Sequence, residues 1–244
     1  MTVITRYRFL LSLLLAILFL LLLASPLADG GVSLKIYERK IKPKTNHRNN
    51  LIVCNVTDKD SDEFGVIGTK LPSNTTYRVN PYSAPSSVRN NLSTIVADSF
   101  ESWDAVTSGI SFTKGANTSV NRARRDGQNI IAWNRLSSNT LGATYIWYNS
   151  VTGAVVEVDT IMNSRQSWKW TNPTTLDPDQ ECPTNNAYDA QNILVHELGH
   201  WVGLEDLYSS NEEDLTMYGY GSKQELKKDT LESGDSLGAG EIYP

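Results

Sequence analysis

Only three histidines occur in the 244 residues, and two of them, His196 and His200, stand four apart in "HELGHWVGLED" with Glu197 between them. Imidazoles and carboxylates are common ligands of transition-metal ions, so this stretch has the residue types of a metal site. On a helix, residues four apart lie about 40° apart around the axis and about 6 Å apart along it, and both imidazoles can reach one ion. If the helix ran on, Asp206 would sit about 9 Å beyond His200 and off the face. Gly203 permits the chain to turn back, because glycine takes a left-handed backbone conformation at little cost and commonly ends helices. Two imidazoles from a helix and the Asp206 carboxylate from just beyond its end leave a fourth position open. That is the pattern of a catalytic zinc site, whereas structural zinc is usually closed by four protein ligands rich in cysteine.

Glu197 points about 100° around the helix from His196 and is therefore placed as a base rather than a ligand. A carboxylate there can hold the water that the metal activates, take its proton as it attacks a carbonyl, and pass that proton to the leaving amine. The reaction that fits is hydrolysis of an amide bond. A chance H-E-x-x-H in a chain this long is an event on the order of one in a hundred, and the added Gly and Asp lower it about a hundredfold more, so a pair of surface histidines is a poor competitor. Trp201, Val202 and Leu204 are expected to be core.

Several elements must position these residues. "AYDAQNILV" supplies the start of the helix, with Ile193 and Leu194 on its buried side. Upstream, Thr76, Tyr77, Arg78 and Val79 suggest a first strand ended by Pro81. Val88, Leu92, Ile95, Val96, Phe100, Trp103 and Val106 then fall on one face of an amphipathic helix of about five turns that packs on a sheet. "GISF" and the stretch around Ile130 to Trp133 are short strands, and "LGATYIWYN" and "GAVVEVDTIMN" form an antiparallel hairpin across "NSVTG".

The remaining sequence sets the context. A formal charge of −5 and the lack of a basic or aromatic-interleaved stretch exclude a nucleic-acid face. Arg6 and Arg8 precede sixteen uncharged, mostly apolar residues from Phe9 to Ala24, then Pro26 and small residues. This predicts an export signal over residues 1–28, with a retained membrane anchor as the alternative, and both put the rest of the chain outside the cytoplasm. Residues 29–70 carry basic and acidic runs without sustained periodicity and are expected to be a leader or spacer, with 71–244 as the folded unit. In an oxidising compartment Cys54 and Cys182, the only cysteines, are most simply one disulfide. Asn55, Asn74, Asn91 and Asn117 are then candidate glycan acceptors.

"HELGHWVGLED" followed by Met217 in "DLTMYGY" resembles the metzincin signature, with Asp206 as third ligand, Glu205 as its rival and Met217 in the methionine turn. The likeness covers most of residues 71–244 and is closest to the matrixin-like zinc endopeptidases: "SFESWDAVTSGISF" and "EVDTIMNSRQSWKW" match elements around the site, and "TLESGDSLGAGEIYP" matches the last helix. The resemblance implies an α/β fold of the α+β kind, with a twisted mixed sheet, a backing helix and an active-site helix. It implies Zn2+ as cofactor, with Ca2+ common in relatives but no ligand set to name. It further implies that "LGATYIWYN", with Gly142, Ala143, Thr144 and Tyr145, is the edge that pairs with an extended peptide or protein substrate, and that Tyr218, Gly219 and Tyr220 wall the pocket beside the metal. The chain departs from the family in three places. His47 falls in the leader and leaves no histidines for a second zinc, the cysteine-switch motif is missing around Cys54, and Gly234 stands where many members carry the first of two aspartates. A Cys54 thiolate enforcing latency is the alternative to the disulfide.

The expectation is thus a secreted or surface-tethered zinc endopeptidase, a monomer, touching a membrane only through an uncleaved N-terminal segment. An exported binding or adhesion protein that keeps the fold without turnover is the competing expectation. Glu197 speaks against it, because a purely structural zinc site has no use for that carboxylate.

Overall fold

The computed structural model describes residues 31–43, 61–172 and 186–244. The expected signal, His47, Cys54 and Cys182 lie outside the described residues. Contacts divide the chain into Met1–Gly31 and Val32–Pro244, and all elements below belong to the second unit.

Among the described residues, nine strands and four α-helices occur in the order β1 (Val32–Ile41), β2 (Asn74–Val79), α1 (Ser86–Arg89), α2 (Leu92–Asp104), β3 (Ser111–Lys114), β4 (Asn129–Asn134), β5 (Thr140–Asn149), β6 (Val155–Asn163), β7 (Trp168–Lys169), β8 (Tyr188–Asp189), α3 (Ala190–Val202), β9 (Tyr220–Gly221) and α4 (Ser233–Ile242). β7 and β8 pair with each other, and the other seven strands form one sheet in the order β3-β2-β4-β6-β5-β1-β9. β2, β3, β4 and β6 run parallel, β5 is antiparallel to β6 and to β1, and β1 is parallel to β9. The β5–β6 hairpin is the expected one: Asn149 Oδ1 accepts from Val151 and Thr152 N–H, and Gly153 turns with φ 72°.

Two expectations are corrected. The helix across residues 88–106 is broken, because Asn90 and Asn91 separate α1 from α2. Asparagine is a weak helix former, while Val88 and Leu92 on either side of the break bury the same face, so the apolar period runs on unbroken. The second correction concerns residues 29–70, since Val32–Ile41 is a strand of the sheet rather than a spacer outside it.

The main core lies between one face of the sheet and helices α2 and α3. Ile95, Phe100 and Trp103 from α2 meet Leu194, Leu198 and Trp201 from α3 over Tyr77, Trp133, Ile146 and Met162 of the strands. A smaller cluster of Ile130, Ala132 and Ile161 covers the other face. There the loop before β4 is fastened by carboxylates from β6. Glu157 accepts from Asp126 and Gly127 N–H, and Asp159 accepts from Arg124 and Ile130 N–H.

Candidate metal centre

The helix that carries the two histidines is buried on every side, so its position is fixed by packing rather than by an amphipathic face. Asp189 caps it, accepting from Gln191 N–H at 2.9 Å and Asn192 N–H at 3.1 Å. Trp103 of α2 donates from Nε1 to the Val195 carbonyl at 2.8 Å, tying the backing helix to the active-site helix. Between the histidines, Gly199 lets the methionine turn approach: a Cβ there would run into Met217 Sδ and come within 2.8 Å of Trp103 Cζ2. Gly199→Ala is therefore expected to destabilise the fold by about 1–3 kcal/mol, read as a lower urea midpoint, and an unchanged midpoint would contradict the packing described.

The helix ends at Gly203 with φ 114°, the left-handed conformation that the sequence predicts there. The reversal does two things. It turns the Leu204 carbonyl onto His200 Nδ1 at 2.8 Å, and it carries Asp206 back so that Oδ1 lies 3.1 Å from His196 Nε2 and 3.6 Å from His200 Nε2. His196 Nδ1 meets the Thr216 carbonyl at 2.7 Å. A carbonyl only accepts, so both Nδ1 atoms carry the proton and both Nε2 lone pairs point toward Asp206. His196 Nε2, His200 Nε2 and Asp206 Oδ1 are buried and have no hydrogen-bond partner. Lone pairs converging on a carboxylate oxygen repel unless a cation lies among them, and the ligand atoms of these three residues fall within 4.8 Å of one another. The donor set of two imidazoles and one carboxylate fits zinc. Glu205, the rival ligand, is exposed and packs on Gly65.

Burial pushes His196 down to about 3, with the Arg39 charge adding to it, and burial likewise lowers His200. Both imidazoles are thus neutral in the fold but take up protons below about 6.5 once unfolded. The unfolded state binds more protons, so metal-free protein is expected to lose stability as pH falls from about 6.5 toward about 3. The steepest loss is about 1.4 kcal/mol per pH unit for each histidine. Urea midpoints of chelator-treated protein at neutral and mildly acidic pH check this, and a midpoint that does not drop in acid would contradict it.

Glu197 is fully buried and sits at the end of a chain of donors. Trp201 Nε1 donates to Thr160 Oγ1 at 2.8 Å, the Thr160 and Thr144 hydroxyls are 2.8 Å apart, and Thr144 donates to Glu197 Oε2 at 2.7 Å. Each hydroxyl has one proton, so the chain runs in one direction and ends on the carboxylate. Glu197 Oε1 is without a hydrogen-bond partner. Burial raises Glu197 to about 8 against the Thr144 hydrogen bond, and a cation on the neighbouring ligands would pull it back down. Thr144, expected among the substrate contacts, turns its hydroxyl to Glu197. Thr144→Val is expected to lower kcat about tenfold without loss of metal, and an unchanged kcat would remove Thr144 from this role. Gly142 is equally constrained, since a Cβ would run into Glu197 Oε1 and come within 2.8 Å of Cδ.

β1 crosses this site. Arg39, Glu38 and Tyr37 stand opposite Gly142, Ala143 and Thr144 of β5, and Ile36 stands opposite Tyr145. On the other side Lys40 N–H donates to the Gly219 carbonyl at 2.9 Å and Lys42 N–H to the Gly221 carbonyl at 3.0 Å. The Tyr37 ring stacks on His200 with centroids 4.5 Å apart. The edge of β5 that the resemblance assigns to substrate is paired here with the chain's own strand.

Tyr218 is buried and Tyr220 partly so, both beside this track. Sequence reasoning missed several residues that the structure brings to the site. Asp235 accepts from Thr216 N–H at 2.9 Å and Met217 N–H at 3.1 Å, fixing the methionine turn and, through the Thr216 carbonyl, His196. Burial, the Asp206 charge and a hydrogen bond to Asp206 raise the Tyr208 phenol. Arg39 also reaches in, its Nη1 donating to the Asn192 carbonyl at 3.1 Å and its Nε lying where a Cβ on Gly221 would be 3.3 Å away. Among the described residues the group able to hold an ion is His196, His200 and Asp206, and no calcium site is supported.

A mixed sheet with backing and active-site helices, two helix-borne imidazoles, a returning carboxylate and a methionine beneath them define a zinc metalloprotease of metzincin architecture. The matrixin family model matches residues 69–244, and the chain belongs to that family. Comparison with curated proteins finds no match.

Proposed function

We propose that the protein is an exported endopeptidase in which Glu197 acts as general base and then general acid on an extended peptide lying between β5 and β9. The observation that carries this is the track occupied by β1, antiparallel to β5 and parallel to β9, with backbone hydrogen bonds on both sides and the metal ligands beneath. Backbone pairing of this kind accepts any extended segment and leaves side-chain pockets to set preference.

His196, His200 and Asp206 are the ligands, and zinc held there supplies polarisation of the scissile carbonyl and activation of water. Glu197 takes the proton from the attacking water and delivers it to the amine nitrogen of the departing product. Thr144, backed by Thr160 and Trp201, holds that carboxylate in place, and Asp235 and Thr216 hold His196 from the other side. The segment over residues 1–28 supports export, and an extracellular substrate follows from it. The buried, otherwise unused Oε1 of Glu197 favours turnover over a binding protein that keeps the fold.

Digestion of an unfolded protein by the zinc-loaded chain tests this. Chelator-sensitive cuts at internal bonds are expected, whereas release of terminal residues alone would contradict an endopeptidase.

A further inference from the structure

Arg39 is fully buried, which is rare for arginine and calls for an explanation. Its side chain leaves β1 toward Asn192 of α3 and Gly221 of β9. There Nη1 donates to the Asn192 carbonyl at 3.1 Å, and Nε lies where a Cβ on Gly221 would be 3.3 Å away. The same glycine faces Leu141 Cδ1 and Ile193 Cδ1, so the walls are aliphatic and suit the arginine stem, while the floor is polar. Asn192 is 1% exposed, and its side-chain amide has no hydrogen-bond partner, nor do Arg39 Nε and Nη2.

Burial lowers the Arg39 guanidinium from its ordinary value, and the carboxylates of Glu225, Glu197, Asp206 and Asp235 oppose that lowering, with Lys228 as a neighbouring cation. Glu225 is anchored by Lys228 Nζ at 2.8 Å and Ser222 N–H at 3.0 Å.

The register also identifies a bond. Tyr37 stacks on His200, the Arg39 side chain reaches Asn192, and Arg39 stands opposite Gly142, where a Cβ would run into Glu197 Oε1, so the Glu197 carboxylate lies beside the Glu38–Arg39 peptide. We propose that these surroundings select arginine, that the enzyme cuts on the amino side of that residue, and that its first substrate is its own Glu38–Arg39 bond. The inference rests on the endopeptidase reading. Water adds to the Glu38 carbonyl carbon and the C–N bond breaks. Glu38 is left as a carboxylate, and Arg39 as a new amino terminus that receives its proton from Glu197. Until that cut, β1 excludes other peptides from the track.

The test follows the zinc-loaded full chain in time by intact mass and amino-terminal sequencing. The same preparation is given an unfolded protein, and after processing it is given synthetic peptides of residues 33–43 with Arg, Lys or Leu at position 39. Expected are a new terminus at Arg39, none in Glu197→Gln, processing retained in Arg39→Lys and at least about tenfold slower in Arg39→Leu, with the same order among the peptides. The peptides keep the test sharp should Arg39→Leu fold poorly. A terminus elsewhere, or leucine cut as fast as arginine, while the unfolded protein is digested, overturns the arginine assignment and leaves the endopeptidase standing. Digestion of nothing by metal-loaded protein overturns both.

Discussion

Glu197→Gln is expected to retain one zinc per chain and to lower kcat by about a hundred- to ten-thousand-fold. Glutamine has the same shape, and its carbonyl can still accept from Thr144, so the helix and the ligands stay in place. What is lost is the carboxylate that the proposed mechanism uses as proton acceptor. The variant also no longer carries an ionisable group in a fully buried position, so it should melt no lower than wild type. Peptide hydrolysis, elemental analysis and thermal melting on the same samples check all three. A variant that keeps more than about a tenth of wild-type kcat would show that another group moves the proton.

Asp206→Ala should behave differently, losing metal and turnover together. Two imidazoles on one helix remain, but the charged oxygen is gone, and zinc affinity is expected to fall by at least about a hundredfold, beyond what loss of an outer-shell partner costs. Tyr208 loses its acceptor at the same time. Glu205→Ala, which removes an exposed carboxylate one residue away, should leave affinity unchanged. Competition with a chromophoric chelator measures both. Wild-type affinity in Asp206→Ala with a loss in Glu205→Ala would reverse the ligand assignment.

The contrast between these two variants reflects which parts of the site a sequence can announce. His196, His200, Gly203 and Asp206 are local in the chain, and a helix followed by a left-handed glycine brings them together with no help from distant residues. The β5–β6 hairpin and the burial of Trp201, Val202 and Leu204 are legible for the same reason. The break between α1 and α2 is not, because hydrophobic period records which residues face the core and says little about a two-residue interruption.

β1 is hidden for a more instructive reason. "VSLKIYERKI" alternates as a strand should, yet its apolar Val32, Leu34 and Ile36 are 41%, 46% and 51% exposed while Arg39 is fully buried. An inverted pattern of that kind is discounted when apolar residues are assumed to face inward. It makes sense only once the strand is placed in a cleft, where Asn192 and Glu225 take the charge. The hydrogen bonds of Thr144, Thr160 and Asp235 at the site are equally invisible beforehand, since they depend on partners far away in the chain.

X-ray absorption at the zinc edge on the purified chain bears most directly on the central claim that His196, His200 and Asp206 hold a catalytic zinc. The account predicts one zinc with nitrogen and oxygen neighbours alone, at about 2.0–2.2 Å. A sulfur neighbour at about 2.3 Å, or a chain that binds no zinc, would contradict it.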